Sequence, residues 1–194
     1  MRLIVGIGNP GSRYINTRHN IGFQFLDFFA KEKALAFKAS KFDYHFAEGE
    51  FSGAPFVLIK PDTFVNNSGI AVSECLNYYG LSVFDILVVV DDVYLDLSDI
   101  RIRNTGGDGG HKGLSSIIYH LQSNNFSRLK IGVGKDFESG NLVNYVLSNF
   151  DKNDFIKLEK SFEISTQLAE SFISEGFEKM LSTFSRLKNL NNIN

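Results

Sequence analysis

Two hydrophobic periods alternate along the chain. Leu3–Ile7 and Ile86–Val90 are unbroken apolar runs, the pattern of central strands covered on both faces. Phe56–Ile59, Ile100–Arg103 and Arg128–Val133 also read as strands. In the last two, apolar residues alternate with Arg101, Arg103, Arg128 and Lys130, which predicts an outward basic face. Between these runs the spacing becomes three and four. Ile21, Phe25, Phe28 and Phe29 share a helical face, as do Val72, Cys75, Leu76 and Tyr79, with Gly80 as a stop. Leu114, Ile117, Ile118 and Leu121 repeat the stripe, and Phe155, Leu158, Phe162 and Phe172 continue it. Such stripes are core surface before they are ligand surface. The pattern predicts one α/β domain over residues 1–188, with a twisted mixed, largely parallel sheet flanked by helices. A polar tail, 189–194, is expected to fray.

Composition narrows the function classes. With 194 residues, 43% of them hydrophobic, the chain can bury one substantial core. A formal net charge of -2 argues against indiscriminate nucleic-acid binding. The charge is uneven, however: between Arg101 and Lys135 six basic residues face one acid, Asp108, so a local basic surface is expected. Cys75 is alone, which excludes an intrachain disulfide or a cysteine zinc site and fits a reducing cytosol. The N-terminal apolar run is too short for a signal peptide, and no run reaches membrane-spanning length. A soluble cytoplasmic protein without membrane contact is expected.

Four polar clusters carry candidate chemistry. Gly6, Gly8 and Gly11 match a dinucleotide fingerprint, which would make the chain an oxidoreductase. Yet Pro10 occupies the turn, polar residues 12–18 precede the helix that starts near Asn20, and Glu32 lies in helical sequence. The fingerprint is therefore weak. Close behind it, Thr17-Arg18-His19-Asn20 sets a histidine just before a helix, where on the residues alone it stands equally as a base or a surface histidine. Asn66, Asn67 and Ser68 are all good N-caps for the next helix; one cap needs one residue, so at least one asparagine is free for a ligand. Asp91-Asp92 ends an apolar strand and could orient a histidine or hold a metal. No histidine is spaced from another as a ligand pair, so His19 oriented by Asp91 is the more economical pairing. The fourth cluster, Gly106–Gly113, lies between two basic strands. It reads either as an ordinary connection or as a mobile loop over a phosphate-rich partner.

In this order the clusters resemble the bacterial-type peptidyl-tRNA hydrolase family. The matching segments are Gly8-Asn9-Pro10-Gly11, Thr17–Gly22, Lys60–Gly69, Asp91-Asp92, Gly109–Leu114 and Arg128–Gly134. The resemblance implies hydrolysis of the ester between a peptide and the 3′ ribose of tRNA. His19 would be the general base and Asp91 its orienting partner, while Asn9 and Asn66 would hold the peptide end and stabilise the oxyanion. Tyr14, Val65 and Lys112 would also contact substrate, and Arg103 and Lys130 would meet tRNA phosphate. No metal or organic cofactor is implied, and a monomer is expected. The chain departs from the family pattern at several places: Lys112 replaces a usual Asn, Val65 a common Met, Tyr94 a further acid and Asp96 a proline. A basic family position near Ser139 is not basic here. A non-catalytic RNA-binding protein on the same fold is the competing reading.

Overall fold

The computed structural model describes residues 1–138 and 140–191. Its strands are β1 (Arg2–Gly6), β2 (Lys38–Ala39), β3 (Tyr44–Phe51), β4 (Ala54–Pro61), β5 (Ile86–Asp92), β6 (Ile100–Arg103) and β7 (Ser127–Gly132). They form one sheet in the order β2-β3-β4-β1-β5-β7-β6. The central four, β4, β1, β5 and β7, are parallel; β2, β3 and β6 pair antiparallel toward the edges. The helices are α1 (Ile21–Glu32), α2 (Ser68–Tyr79), α3 (Lys112–Leu121), α4 (Leu142–Val146), α5 (Lys152–Glu175) and α6 (Phe177–Asn191).

Side-chain alternation on the central strands sorts the core into two halves. Ile4, Leu87 and Val89 pack with α1, α5 and α6 on one face. Leu3, Val5, Ile86, Val88 and Val90 pack with α2 and α3 on the other. That double covering explains why β1 and β5 read as continuous apolar runs. β3 has no such run: charged residues and Gly49 interrupt it, and its pairing rests on a hairpin turn at Ser52-Gly53, where both φ angles are positive. α6 carries the chain through Asn189–Asn191, and residues 192–194 lie outside the described residues.

The glycines of the first turn serve packing. A Cβ on Gly6 would stand 2.5 Å from the Gly22 carbonyl oxygen, and one on Gly22 would stand 2.4 Å from the Ile7 nitrogen. α1 therefore crosses β1 backbone to backbone at these two residues. Of the fingerprint glycines, Gly6 belongs to this crossing, Gly8 lies against the Phe23 ring and Gly11 holds a positive φ of 103° in open space. The turn leads into a short 3-10 segment, Ser12–Tyr14, so no α-helix N-terminus follows it to receive a pyrophosphate.

One basic residue departs from the outward face that alternation predicts. Arg128 is only 2% exposed. Its guanidinium donates to the carbonyls of Gly107 (2.5 Å), Asn124 (3.3 Å) and Gly106, and lies 4.7 Å from the Phe126 ring centroid. The glycine-rich segment covers that face of β7, and Arg128 ties the segment down.

Candidate active site

The chain leaves β1 in the middle of the sheet, builds β4 on one side, then returns to build β5 on the other. The carboxyl ends of β1 and β5 thus open a crevice at a switch in strand order, where open α/β sheets place ligands. Asn9 enters this crevice on the loop after β1. Its backbone is clamped by Asn20: the Asn9 amide donates to Asn20 Oδ1 (2.9 Å), and Asn20 Nδ2 donates to the Asn9 carbonyl (2.9 Å). Asn9 Oδ1 accepts from the Val65 amide (3.0 Å), which leaves Nδ2 as the free donor.

His19 sits on the 3-10 turn Arg18–Asn20, directly before α1. The turn is held from outside, since the Arg18 guanidinium lies over Tyr145 and Phe150 and pairs with Asp154 (3.3 Å). His19 Nδ1 donates to Asp91 Oδ1 at 2.8 Å, which leaves Nε2 with a free lone pair. A second histidine reaches the same oxygen: His111 Nε2 donates to Asp91 Oδ1 at 2.9 Å. Its Nδ1 accepts from the amides of Gly113 and Leu114, capping α3. His111 has no nitrogen left for a substrate.

Asp91 is 5% exposed. Burial opposes its ionisation, but the two imidazoles outweigh burial and hold its carboxyl well below the usual carboxylate range. Burial likewise opposes a charge on His19, yet Asp91 prevails and raises its pKa above the ordinary 6.5. His19, Asp91 and His111 together place three potential metal-ligand atoms within 4.8 Å of one another. Both N–H groups point at one carboxylate oxygen, so in this hydrogen-bonded arrangement neither of these nitrogens offers a lone pair to a cation.

These groups line a cavity of about 360 Å³, within the range of small-ligand sites. Of the residues singled out in the sequence, Asn9, His19, Val65, Asn66, Asp91, Lys112 and Lys130 border it. Tyr14 and Arg103 do not. Tyr14 packs edge-on against the exposed Phe64 with ring centroids 6.4 Å apart, and Arg103 is exposed on the edge strand β6. Lys130 is less free than an outward lysine: its Nζ pairs with Asp92 Oδ2 at 2.8 Å. Asn66 is exposed and outside the α2 cap, which falls at Asn67 without a side-chain hydrogen bond. Position 139 lies outside the described residues.

Comparison with known proteins places this geometry. The family model described as peptidyl-tRNA hydrolase matches residues 3–192. The chain belongs to the peptidyl-tRNA hydrolase family. It is 43% identical over 188 residues to the peptidyl-tRNA hydrolase of Clostridium beijerinckii, covering 97% of each chain. It is 42% identical to that of Thermotoga maritima, covering 96% of this chain and 98% of the other. A crystal structure of peptidyl-tRNA hydrolase from Acinetobacter baumannii superposes with a TM-score of 0.87 at 31% identity, covering 94% of both chains. As a member of this family the chain is a peptidyl-tRNA hydrolase built on an α/β domain, and the family function implies tRNA binding. No helix among the described residues is long and apolar enough to cross a membrane.

Three contributors to the family cleft escaped sequence reasoning. His111, Asn20 and Arg128 act on Asp91, on Asn9 and on the glycine-rich segment respectively. For His111 the available signal was a histidine at a glycine-to-helix junction, a natural capping position.

Proposed function

We propose that this cleft hydrolyses the ester joining a peptide to the 3′ ribose of tRNA, with His19 as the general base. His19 Nε2 takes a proton from water as the water oxygen attacks the ester carbonyl carbon. The developing oxyanion accepts a hydrogen bond from Asn9 Nδ2, and Asn66 holds the peptide end beside it. Collapse of the tetrahedral intermediate breaks the bond to the ribose 3′ oxygen, which receives the proton from the His19 imidazolium. Asp91 keeps the imidazole in its Nδ1–H tautomer and stabilises its protonated form. The base contributes about two to four powers of ten in rate and the oxyanion donor about two to three.

The observation that carries this reading is the 2.8 Å bond from His19 Nδ1 to Asp91, which frees Nε2 in a cavity also lined by Asn9 and Asn66. Val65 and Lys112 border the same cavity and are assigned to substrate, as is Tyr14 through the Phe64 edge just outside it. Lys112 is the first residue of α3, where a cation is disfavoured by the helix dipole and an anionic partner favoured. Arg103 and Lys130 are assigned to RNA phosphates, which position the RNA without reading its sequence.

The test is release of N-acetyl amino acid from N-acetyl-aminoacyl-tRNA, with EDTA present and His19→Ala in parallel. Turnover by the native chain is expected, with a loss of about 100-fold or more in the variant. Equal turnover by the variant removes His19 as the base. RNA binding without turnover in the native chain supports the non-catalytic alternative.

A further inference from the structure

The cavity has a mixed lining: it is bordered by the amides of Asn9 and Asn66 and also by Tyr94 and the α4 residues Leu142 and Val143. Tyr94 is 68% exposed, so its ring contributes little to the core, and its hydroxyl has no partner among the described residues. Its backbone is nonetheless fixed. The Tyr94 amide donates to Asp92 Oδ1 (2.9 Å), while Asp92 Oδ2 accepts from Lys130 Nζ (2.8 Å). One buried carboxylate thus couples an exposed aromatic ring to a cation at the edge of the catalytic cavity. The α4 side is held as well, by Tyr145 Oη donating to the Val133 carbonyl (2.9 Å) and by Arg18 over the Tyr145 ring.

A nucleotide carries a flat base, a 5′ phosphate and a 3′ oxygen on one ribose. An aromatic face, a lysine and a general base around one cavity present the complementary set. We propose that Tyr94 is the stacking platform for the base of the substrate's 3′-terminal nucleotide, with Lys130 meeting that nucleotide's phosphate. The assignment rests on ester hydrolysis at His19, and it places the ribose on the Tyr94 side and the peptide on the asparagine side.

The test compares equilibrium binding of AMP and ribose 5-phosphate, which differ only in the base, to the native chain, Tyr94→Ala and Tyr94→Phe. The native chain should prefer AMP. Tyr94→Ala should weaken AMP about tenfold and leave ribose 5-phosphate unchanged, while Tyr94→Phe stays within about twofold of native. In hydrolysis, Tyr94→Ala should raise KM and leave kcat nearly constant. An AMP preference that survives Tyr94→Ala, or its absence from the native chain, overturns the proposal. So does a loss in Tyr94→Ala that follows the identity of the acyl amino acid. A native chain that shows the Tyr94-dependent AMP preference but hydrolyses no ester sinks the hydrolase reading and leaves the base platform standing.

Discussion

Two glycine-rich segments deliver a histidine to the same oxygen of Asp91, and they leave those histidines in opposite conditions. The segment after β1 brings His19 with one nitrogen bound and the other free. The segment before α3 brings His111 with both nitrogens committed, one to Asp91 and one to the first amides of the helix. Residue type and nearest partner are the same. What differs is the use of the second nitrogen: a capping imidazole is a structural acceptor, whereas an uncapped one can move a proton. Asp91 is correspondingly a shared hub, fixing the His19 imidazole through its Nδ1 proton while being held by the Nε2 proton of His111.

The largest expected effect of breaking this comparison is at His19 itself; the next is at its carboxylate. The base form of His19 must be neutral, so kcat/KM should rise with pH through an acid limb above 6.5, the ordinary histidine value. In Asp91→Asn the charge that raises His19 is gone while its burial remains. The acid limb should move to lower pH, and the plateau should fall by about two to four powers of ten as the tautomer is lost. A pH–rate profile of the variant checks both. An unmoved limb would mean that the titrating group in catalysis is not His19.

His111→Asn separates positioning from capping. Asparagine is a good N-cap, so α3 and the melting temperature should be preserved within about 2 °C. The donor to Asp91 is lost, leaving the carboxylate more available to His19. The acid limb should therefore shift to higher pH, opposite to Asp91→Asn, with kcat reduced about tenfold. A normal limb and normal kcat in a stably folded variant would reduce His111 to a cap. His111→Ala, which removes the cap too, should cost about 0.5–2 kcal/mol of stability in denaturant unfolding.

The contrast also marks what the sequence could reveal. β1 and β5 were legible because strands buried on both faces are apolar without interruption, and their carboxyl ends pointed to His19 and Asp91. β3 was illegible because a strand near the sheet edge with one wet face needs no apolar run. The meeting of His111 with Asp91 depends on where α3 lands against the end of β5, a tertiary fact that no local spacing encodes. Arg128 was misread for a related reason. Alternation specifies which side of a strand a residue occupies, but not what covers that side, and here a chain of glycines does.

Arg128 and Arg103 repeat the lesson at smaller amplitude. They are paired residues across β6 and β7, yet Arg128 commits its guanidinium to three backbone carbonyls, while among the described residues Arg103 bonds only the carbonyl of its neighbour Ile102. Only the free arginine is available to RNA. Arg103→Ala should leave kcat and stability near native and raise KM a few-fold at low salt. Each phosphate contact contributes about 0.7–0.9 to the slope of log affinity against log salt, so the variant's slope should flatten by about that amount. Measuring KM across a salt series checks this. A slope unchanged from native would place the RNA on another face and would leave Lys130, whose charge must first be drawn from Asp92, as the nearer phosphate ligand.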